Sequence, residues 1–457
     1  NEKSILQAHF VYGDMNYQTP GGLTKAEYNS NARQSRPGTD NAKATFYAKT
    51  LLAGFSLEQK INERWENNTS VYAAYSQNRN PNLRNYSRTS EPHLGGRTLF
   101  KFNKKIENTI ITLNTGAEFQ QGFNTLRVYE NKQGEPGKLQ TDDEIYNTQG
   151  FIFFQANVET HNGWIATLGA SINENKLNFQ RLSTTPAEKE SRNFKNELAP
   201  RLALLKKINN SISVYGNVAK GFAAPATAEI LPSTDIFNTT LQAESGINYE
   251  LGTKGSFLKN KLFVDINAFY YNLKNAIVQK RDAGGADYFE NAGSAKQKGL
   301  ESYVSYEIFN SNQGFWKYGL AYVSHTWNNF HYDKYQQLDK DYSGNKIPGV
   351  AAQTLAAGMD IATRPGLYAN VTFFYSGKIA LNDANSDYAK PYNLLGLKIG
   401  YKTALSQKTQ LDIMAGAQNI FDEKYSLGND INGFGGRFYN VAPGRNFYVG
   451  IAFSFNK

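Results

Sequence analysis

Arginine and tyrosine recur together in two neighbouring stretches of this 457-residue chain. Residues 80–97 carry Arg84, Tyr86, Arg88 and Arg97, and Arg127 and Tyr129 follow in the next polar stretch. A guanidinium fork grips carboxylate or phosphate oxygens, and a tyrosine ring covers an organic group or a cation. Together they suit an anionic organic ligand, although each also fits as an ordinary solvated loop side chain. Other chemistry is poorly represented. The five histidines (His9, His93, His161, His325, His331) are not at metal-ligand spacing, and no cysteine is present. Disulfides and thiolate metal sites are therefore excluded. No Gly-x-Ser-x-Gly elbow, His-Glu-x-x-His pair or phosphate loop occurs, so no enzyme, catalytic residue, resident metal or cofactor is expected. The net charge of +9 is spread along the chain without the basic run of a nucleic-acid tail.

The elements that must hold these residues are strands. In Phe447-Tyr-Val-Gly-Ile-Ala-Phe-Ser-Phe455 the odd positions are large and apolar, and the even ones are mostly small or polar. Leu262-Val264-Ile266-Ala268-Tyr270 and Leu367-Ala369-Val371-Phe373-Tyr375 repeat the pattern, with Asp265, Asn267, Asn370 and Thr372 between. Such strands have one apolar and one wet face. About 18 of them are expected, by the strand pattern of membrane barrels. They begin near Ser4, Thr50, Trp65, Arg97, Ile110, Glu144, Trp164, Glu197, Ser211, Ile247, Leu262, Phe289, Trp316, Ala351, Leu367, Leu394, Leu411 and Phe447. Short connections (such as 62–63, 104–105 and 259–260) alternate with long ones (18–43, 80–96, 122–143, 181–196, 222–244, 333–348, 377–391, 426–443). The connection at 281–287 is intermediate. Up-and-down membrane barrels alternate in this way, with short periplasmic turns and long external loops. Trp65, Trp164 and Trp316 each follow a short turn, where an interfacial aromatic girdle would lie. The expected fold is all-β: a large antiparallel up-and-down transmembrane barrel with lipid outside and a polar bore. A propeller is disfavoured because no repeat of roughly 40–50 residues is visible.

Several segments then resemble the barrel of TonB-dependent outer-membrane receptors. One is Tyr215-Gly-Asn-Val-Ala-Lys-Gly-Phe-Ala-Ala-Pro225, followed by Leu241-Gln-Ala-Glu-Ser-Gly-Ile-Asn-Tyr-Glu-Leu-Gly-Thr-Lys-Gly255. Others are Asn291-Ala-Gly with Lys298-Gly-Leu-Glu301, Asn419-Ile-Phe-Asp-Glu-Lys-Tyr425, and Pro443-Gly-Arg-Asn-Phe-Tyr-Val-Gly450. Pro20-Gly-Gly-Leu23 is similar to the corresponding stretch of ferric-citrate-type members. These motifs read as structural, with Glu250 and Glu301 expected to face the bore and pair with Arg or Lys. The terminal strand fits the outer-membrane assembly signal, except that Asn456-Lys457 stands where an aromatic is usual.

The resemblance implies a 22-strand barrel in the outer membrane of a Gram-negative bacterium. This chain would be its C-terminal part over residues 1–457, with the plug domain and first strands missing. It implies import of a ferric chelate of siderophore or citrate type, with iron as cargo and no cofactor. It also implies energy from the TonB-ExbB-ExbD complex through the missing N-terminal region, and contact with outer-membrane lipid and lipopolysaccharide. Arg84, Tyr86, Arg88, Arg97, Arg127 and Tyr129 are the ligand candidates. Uptake of haem, vitamin B12 or another small nutrient is the alternative within the family. A passive porin is the alternative outside it.

Overall fold

The computed structural model describes residues 3–231, 237–281, 287–291, 293–337 and 340–455. The 281–287 connection lies mostly, and Asn456-Lys457 wholly, outside the described residues. Alternation of apolar and polar residues makes strands throughout, and nineteen of them form one antiparallel sheet. The first seven are β1 (Ser4–Gln18), β2 (Thr45–Lys60), β3 (Trp65–Pro81), β4 (Asn85–Ile106), β5 (Thr109–Lys132), β6 (Glu135–Thr160) and β7 (Trp164–Arg181). Each pairs with its neighbour in sequence. On its far side β7 pairs with Lys189–Asn193 and then with Leu198–Lys207. These two segments share one place in the wall, so nineteen strands fill eighteen positions. Ten more strands continue the wall up and down, from Ile212–Ala223 to Asn446–Phe455.

The apolar face is the outer one. Leu251, Leu168, Ile152, Val71 and Ile399 each stand more than half exposed on it. No helix among the described residues is long and apolar enough to cross a membrane, so the strands must carry any crossing. Trp65, Trp164 and Trp316 are each the first residue of their strand and lie exposed at the short-turn rim. The ring of Trp65 packs on Phe102, its cross-strand partner.

Three expectations are corrected. Residues 80–96 and 122–143 are mostly strand, because β4, β5 and β6 run to 22, 24 and 26 residues. Their upper ends lie above the apolar outer belt and carry polar residues on either face, such as Ser90 and Glu91 of β4 or Asn124 and Thr125 of β5, so no clean alternation marks them. Hydrogen bonding across the hairpins continues regardless, since each backbone N–H and C=O still needs a partner. The strand expected at Phe289 is instead a separate hairpin, Ile277–Arg281 with Asp287–Asn291, and the wall strand begins at Ser294. The loops also contain short helices at Lys25–Ser30 and Thr227–Ile230.

Among the described residues β1 pairs only with β2, and Asn446–Phe455 only with Thr409–Gln418. The sheet curls far enough for the loops beyond these two edges to meet. Leu23 and Tyr439 exchange backbone hydrogen bonds of 2.9 and 3.2 Å. Arg437 grips Glu27 through both carboxylate oxygens at 2.6 and 3.0 Å. That guanidinium, with the Thr24 backbone N–H, holds the Glu27 carboxyl down at about 2. The buried clusters sit at this external rim. One joins Leu23, Leu381, Ala389, Phe438 and Tyr439. The other joins Ile145, Leu177 and Phe179 to Ile230 of the short helix.

Candidate functional site: the inner face and external rim

On the bore side, the resembling motifs meet as cross-strand partners. Tyr215 lies opposite Gly252, and Asn217 lies opposite Glu250. A Cβ on Gly252 would stand 2.3 Å from the Tyr215 ring, so the ring lies flat in the space a side chain would take. Arg201 donates from Nε to Asn217 Oδ1 at 3.0 Å, and the Asn217 amide donates to Glu250 at 3.4 Å. Asn248 donates to the other Glu250 oxygen at 2.5 Å. Glu250 thus faces the bore as expected, but the Asn217 amide stands between it and Arg201. Glu301 lies opposite Asn267 and has no ion-pair partner among the described residues. The expectation that both pair directly with Arg or Lys is corrected. A hydrated bore leaves a carboxylate solvated, so a direct cation is not required.

The two C-terminal motifs lock one turn. Asn419, at φ 48°, accepts from the Glu423 N–H at 2.9 Å and donates to the Glu423 and Pro443 carbonyls. Asp422 Oδ1 accepts from the Arg445 N–H at 2.9 Å. This turn places Tyr425 against Tyr392, with ring centroids 4.7 Å apart. Tyr392 opens the strand Tyr392–Ala404 on its polar face, the face of Lys398 and opposite that of Leu397 and Ile399.

Next to this pair, Tyr28 stacks on Tyr439 at 4.7 Å and 20°. The four tyrosines border a cavity of about 280 Å³, which Lys25, Lys390 and Lys424 also line, with Glu423 as a carboxylate among them. Burial pushes the Tyr28 and Tyr439 hydroxyls above the ordinary phenol value, so both remain protonated donors. Cationic amines, phenol donors and ring faces around one opening can hold an anionic, partly aromatic molecule. A second latch lies nearby. Asp383, buried, accepts from Tyr332 and Tyr335 hydroxyls at 2.8 and 3.0 Å and from Asn432 at 3.0 Å. Elsewhere on the rim, the short helix Thr227–Ile230 reaches the inner face of the wall. Its Ile230 is fully buried against the inner face of β6 and β7, and Phe237 stacks on Phe179 at 5.4 Å.

The six candidates read from sequence fall in three places. Arg97 lies on the bore face, 3.5 Å from Glu118, with its guanidinium over the Phe153 ring at 5.0 Å. Arg88 and Arg127 are direct cross-strand partners, as are Tyr86 and Tyr129. These four stand on the face of β4 and β5 that continues from Leu94 and Phe119, the outer face. The Arg88 guanidinium lies over the Tyr86 and Tyr129 rings at 5.3 and 5.6 Å. Arg84 is exposed at the tip of the β3–β4 hairpin. The sequence reading missed the lysine–tyrosine chamber. The available signal was the repeated pairing of Lys25 with Tyr28, Lys390 with Tyr392 and Lys424 with Tyr425, in or at the edge of three separate long loops.

An antiparallel wall with an apolar exterior, an aromatic short-turn rim and a polar, loop-capped interior defines an outer-membrane-type barrel. Residues 2–420 match the family described as TonB dependent receptor-like, beta-barrel. The chain belongs to that family, whose members are receptors and not enzymes. It is 23% identical to the ferric-pyoverdine 358 receptor of Pseudomonas putida, over 93% of this chain and 53% of that protein. The chain therefore spans about half the length of this curated relative. In fold it is similar to the ferric citrate transporter FecA in its unliganded form, with TM-score 0.81 and 16% identity, covering 100% of this chain and 68% of that one. The siderophore receptor PiuA from Acinetobacter baumannii is also similar, with TM-score 0.79 and 14% identity, covering 99% of this chain and 72% of that one.

Proposed function

We propose that this chain forms the wall and external rim of a Gram-negative outer-membrane receptor that imports a ferric chelate, driven by the TonB-ExbB-ExbD complex. The observation that carries the reading is the rim chamber, where Lys25, Lys390 and Lys424 surround paired tyrosines above a polar bore. Ferric siderophores and ferric citrate are often anionic chelates with an organic shell, which call for this mixture of positive charge and ring faces. Arg97 on the bore wall is the second proposed contact. Arg84, at the β3–β4 tip within electrostatic reach of Arg36, stays a proposed contact, whereas Tyr86, Arg88, Arg127 and Tyr129 share the outer face and are left out of the proposed site.

The test is uptake of radiolabelled iron by cells expressing the protein, supplied as ferric citrate or as ferric pyoverdine. Wild type is expected to accumulate one of these, and Lys25→Ala/Lys390→Ala/Lys424→Ala to weaken chelate binding by about tenfold or more. Accumulation must stop when the proton gradient is dissipated. Uptake that continues without the gradient would replace this reading with a passive pore.

A further inference from the structure

The walls of the lysine–tyrosine chamber come from separate loops, and one loop fixes two of the others. Residues 426–443 lend the chamber Ser426, Asn429 and Tyr439. Between Asn429 and Tyr439, the turn Asn432-Gly-Phe-Gly-Gly-Arg437 lines none of it, yet each end of the turn holds another loop. Arg437 grips Glu27 of the short helix Lys25–Ser30, whose Lys25 and Tyr28 line the chamber. Glu27 also accepts from the Thr24 N–H at 2.9 Å, so one carboxylate both caps that helix and ties it down. At the other end, Asn432 donates to Asp383 Oδ2 at 3.0 Å and accepts from the Asp383 N–H at 3.1 Å. The Asn432 N–H donates to the Leu381 carbonyl at 3.0 Å. Leu381 and Asp383 lie within the hairpin of Ile379–Ala380 and Tyr388–Ala389, which brings Tyr388 and Lys390 to the chamber.

The turn leaves little freedom in the spacing of these two contacts. Asn432, Gly435 and Gly436 have φ of 55°, 66° and 70°, the left-handed region that most side chains avoid. The Gly433 N–H donates to the Asp430 carbonyl at 3.2 Å, and the Gly436 N–H donates to the Gly433 carbonyl at 3.0 Å. A Cβ on Gly433 would stand 2.5 Å from the Arg437 carbonyl oxygen, a backbone atom that cannot swing aside. Any side chain at position 433 therefore shifts the backbone of Arg437. Gly428 belongs to the same loop, and a Cβ there meets nothing within 4 Å.

We propose that Asn432 and Arg437 are positioning residues for the bound chelate: neither lines the chamber, and together they set the spacing of the two walls that carry Lys25 and Lys390. The proposal rests on the chamber being the chelate site. Amines and rings that already stand where a ligand needs them bind it more tightly than ones that must be ordered on binding. Arg437 acts through Lys25 and Tyr28, and Asn432 acts through Tyr388 and Lys390. Loss of either contact therefore weakens binding only as far as its own wall contributes.

Equilibrium binding of ferric pyoverdine and of ferric citrate to the detergent-solubilised protein tests it, with hydrogen exchange read in parallel. Gly433→Ala changes no chamber residue and should weaken binding of whichever chelate wild type takes by about tenfold. Gly428→Ala should bind as wild type does. Arg437→Gln should also cost about tenfold in the wild-type background, but less than about twofold once Lys25→Ala/Tyr28→Ala is present. A general loss of structure would act equally in both backgrounds, so equal effects overturn the proposal. Exchange of residues 25–30 and 379–389 should quicken about tenfold in Gly433→Ala, while wall strands such as Leu262–Lys274 keep their wild-type rates. Unchanged exchange in those two segments overturns the proposal, as does wild-type affinity in Gly433→Ala. A wild type that binds neither chelate removes the chelate reading. Faster exchange of both segments in Gly433→Ala would then still support the turn as the part that positions the chamber walls.

Discussion

The wall and the rim of this barrel are built on opposite principles. In the wall, each strand has one apolar and one polar face, and register alone decides which side chain meets lipid. Leu251, 64% exposed, fits a membrane barrel, whose outer face meets hydrocarbon. In the rim the side chains are buried in small local clusters and held by specific polar contacts. Leu23 and Leu381 are nearly inaccessible, and Glu27, Asp383 and Asn419 each bind several partners. The wall tolerates any residue of the right polarity. The rim depends on particular residues brought from distant parts of the chain.

Substitutions can break that contrast in order of effect. Leu251→Arg places a charge near mid-height on the lipid face and should cost about 2–4 kcal/mol, read from unfolding of the protein refolded in lipid vesicles. A loss below about 1 kcal/mol would mean that this face does not meet hydrocarbon. Gly252→Val should cost about 1–3 kcal/mol, because the added atoms must displace the Tyr215 ring. Gly13→Val is the matched control, since a Cβ there meets nothing within 4 Å. If the two glycine variants lose equal stability, ring-over-glycine packing is not what holds the inner face. Tyr335→Phe removes one hydrogen bond from the Asp383 latch and should cost about 1 kcal/mol, seen as faster hydrogen exchange of residues 381–387.

The pH dependence separates the regions further. The folded carboxyl of Glu27 is depressed to about 2 from its ordinary 4.5. The clamp to Arg437 therefore contributes fully above about pH 4.5, weakens as pH falls and is lost near pH 2. Proteolysis of residues 19–44 at graded pH should follow that course in wild type. Glu27→Gln should remove the dependence, and an unaltered profile in that variant would assign the transition to another group.

Much of the wall was readable because the period-2 signal depends only on the chemistry of the two solvents. Strands such as Leu262–Lys274 and Leu367–Ser376 declare themselves by alternation. Legibility ended where the solvent became water on both sides. The upper parts of β4, β5 and β6 have polar residues on either face, so they read as loops, and Arg88 and Arg127 seemed to be loop residues free to turn inward. Their actual face follows from register counted up from Leu94 and Phe119. The rim chamber was hidden for a different reason. Tyr28 and Tyr439 lie 411 positions apart (439 − 28), and no local pattern joins them.

The sequence by itself determined which residues meet lipid, since a strand with one apolar and one polar face can bury only one of them in hydrocarbon. It also determined every second pairing of the up-and-down order, because a short turn permits nothing but a neighbouring antiparallel pair. Only the tertiary structure decided that the first and last loops clasp, that lysines and tyrosines from three loops surround one cavity, and that Arg88 and Arg127 stand on the outer face. Those outcomes depend on cross-strand register and on the curl of the whole sheet, quantities that no single stretch of residues encodes.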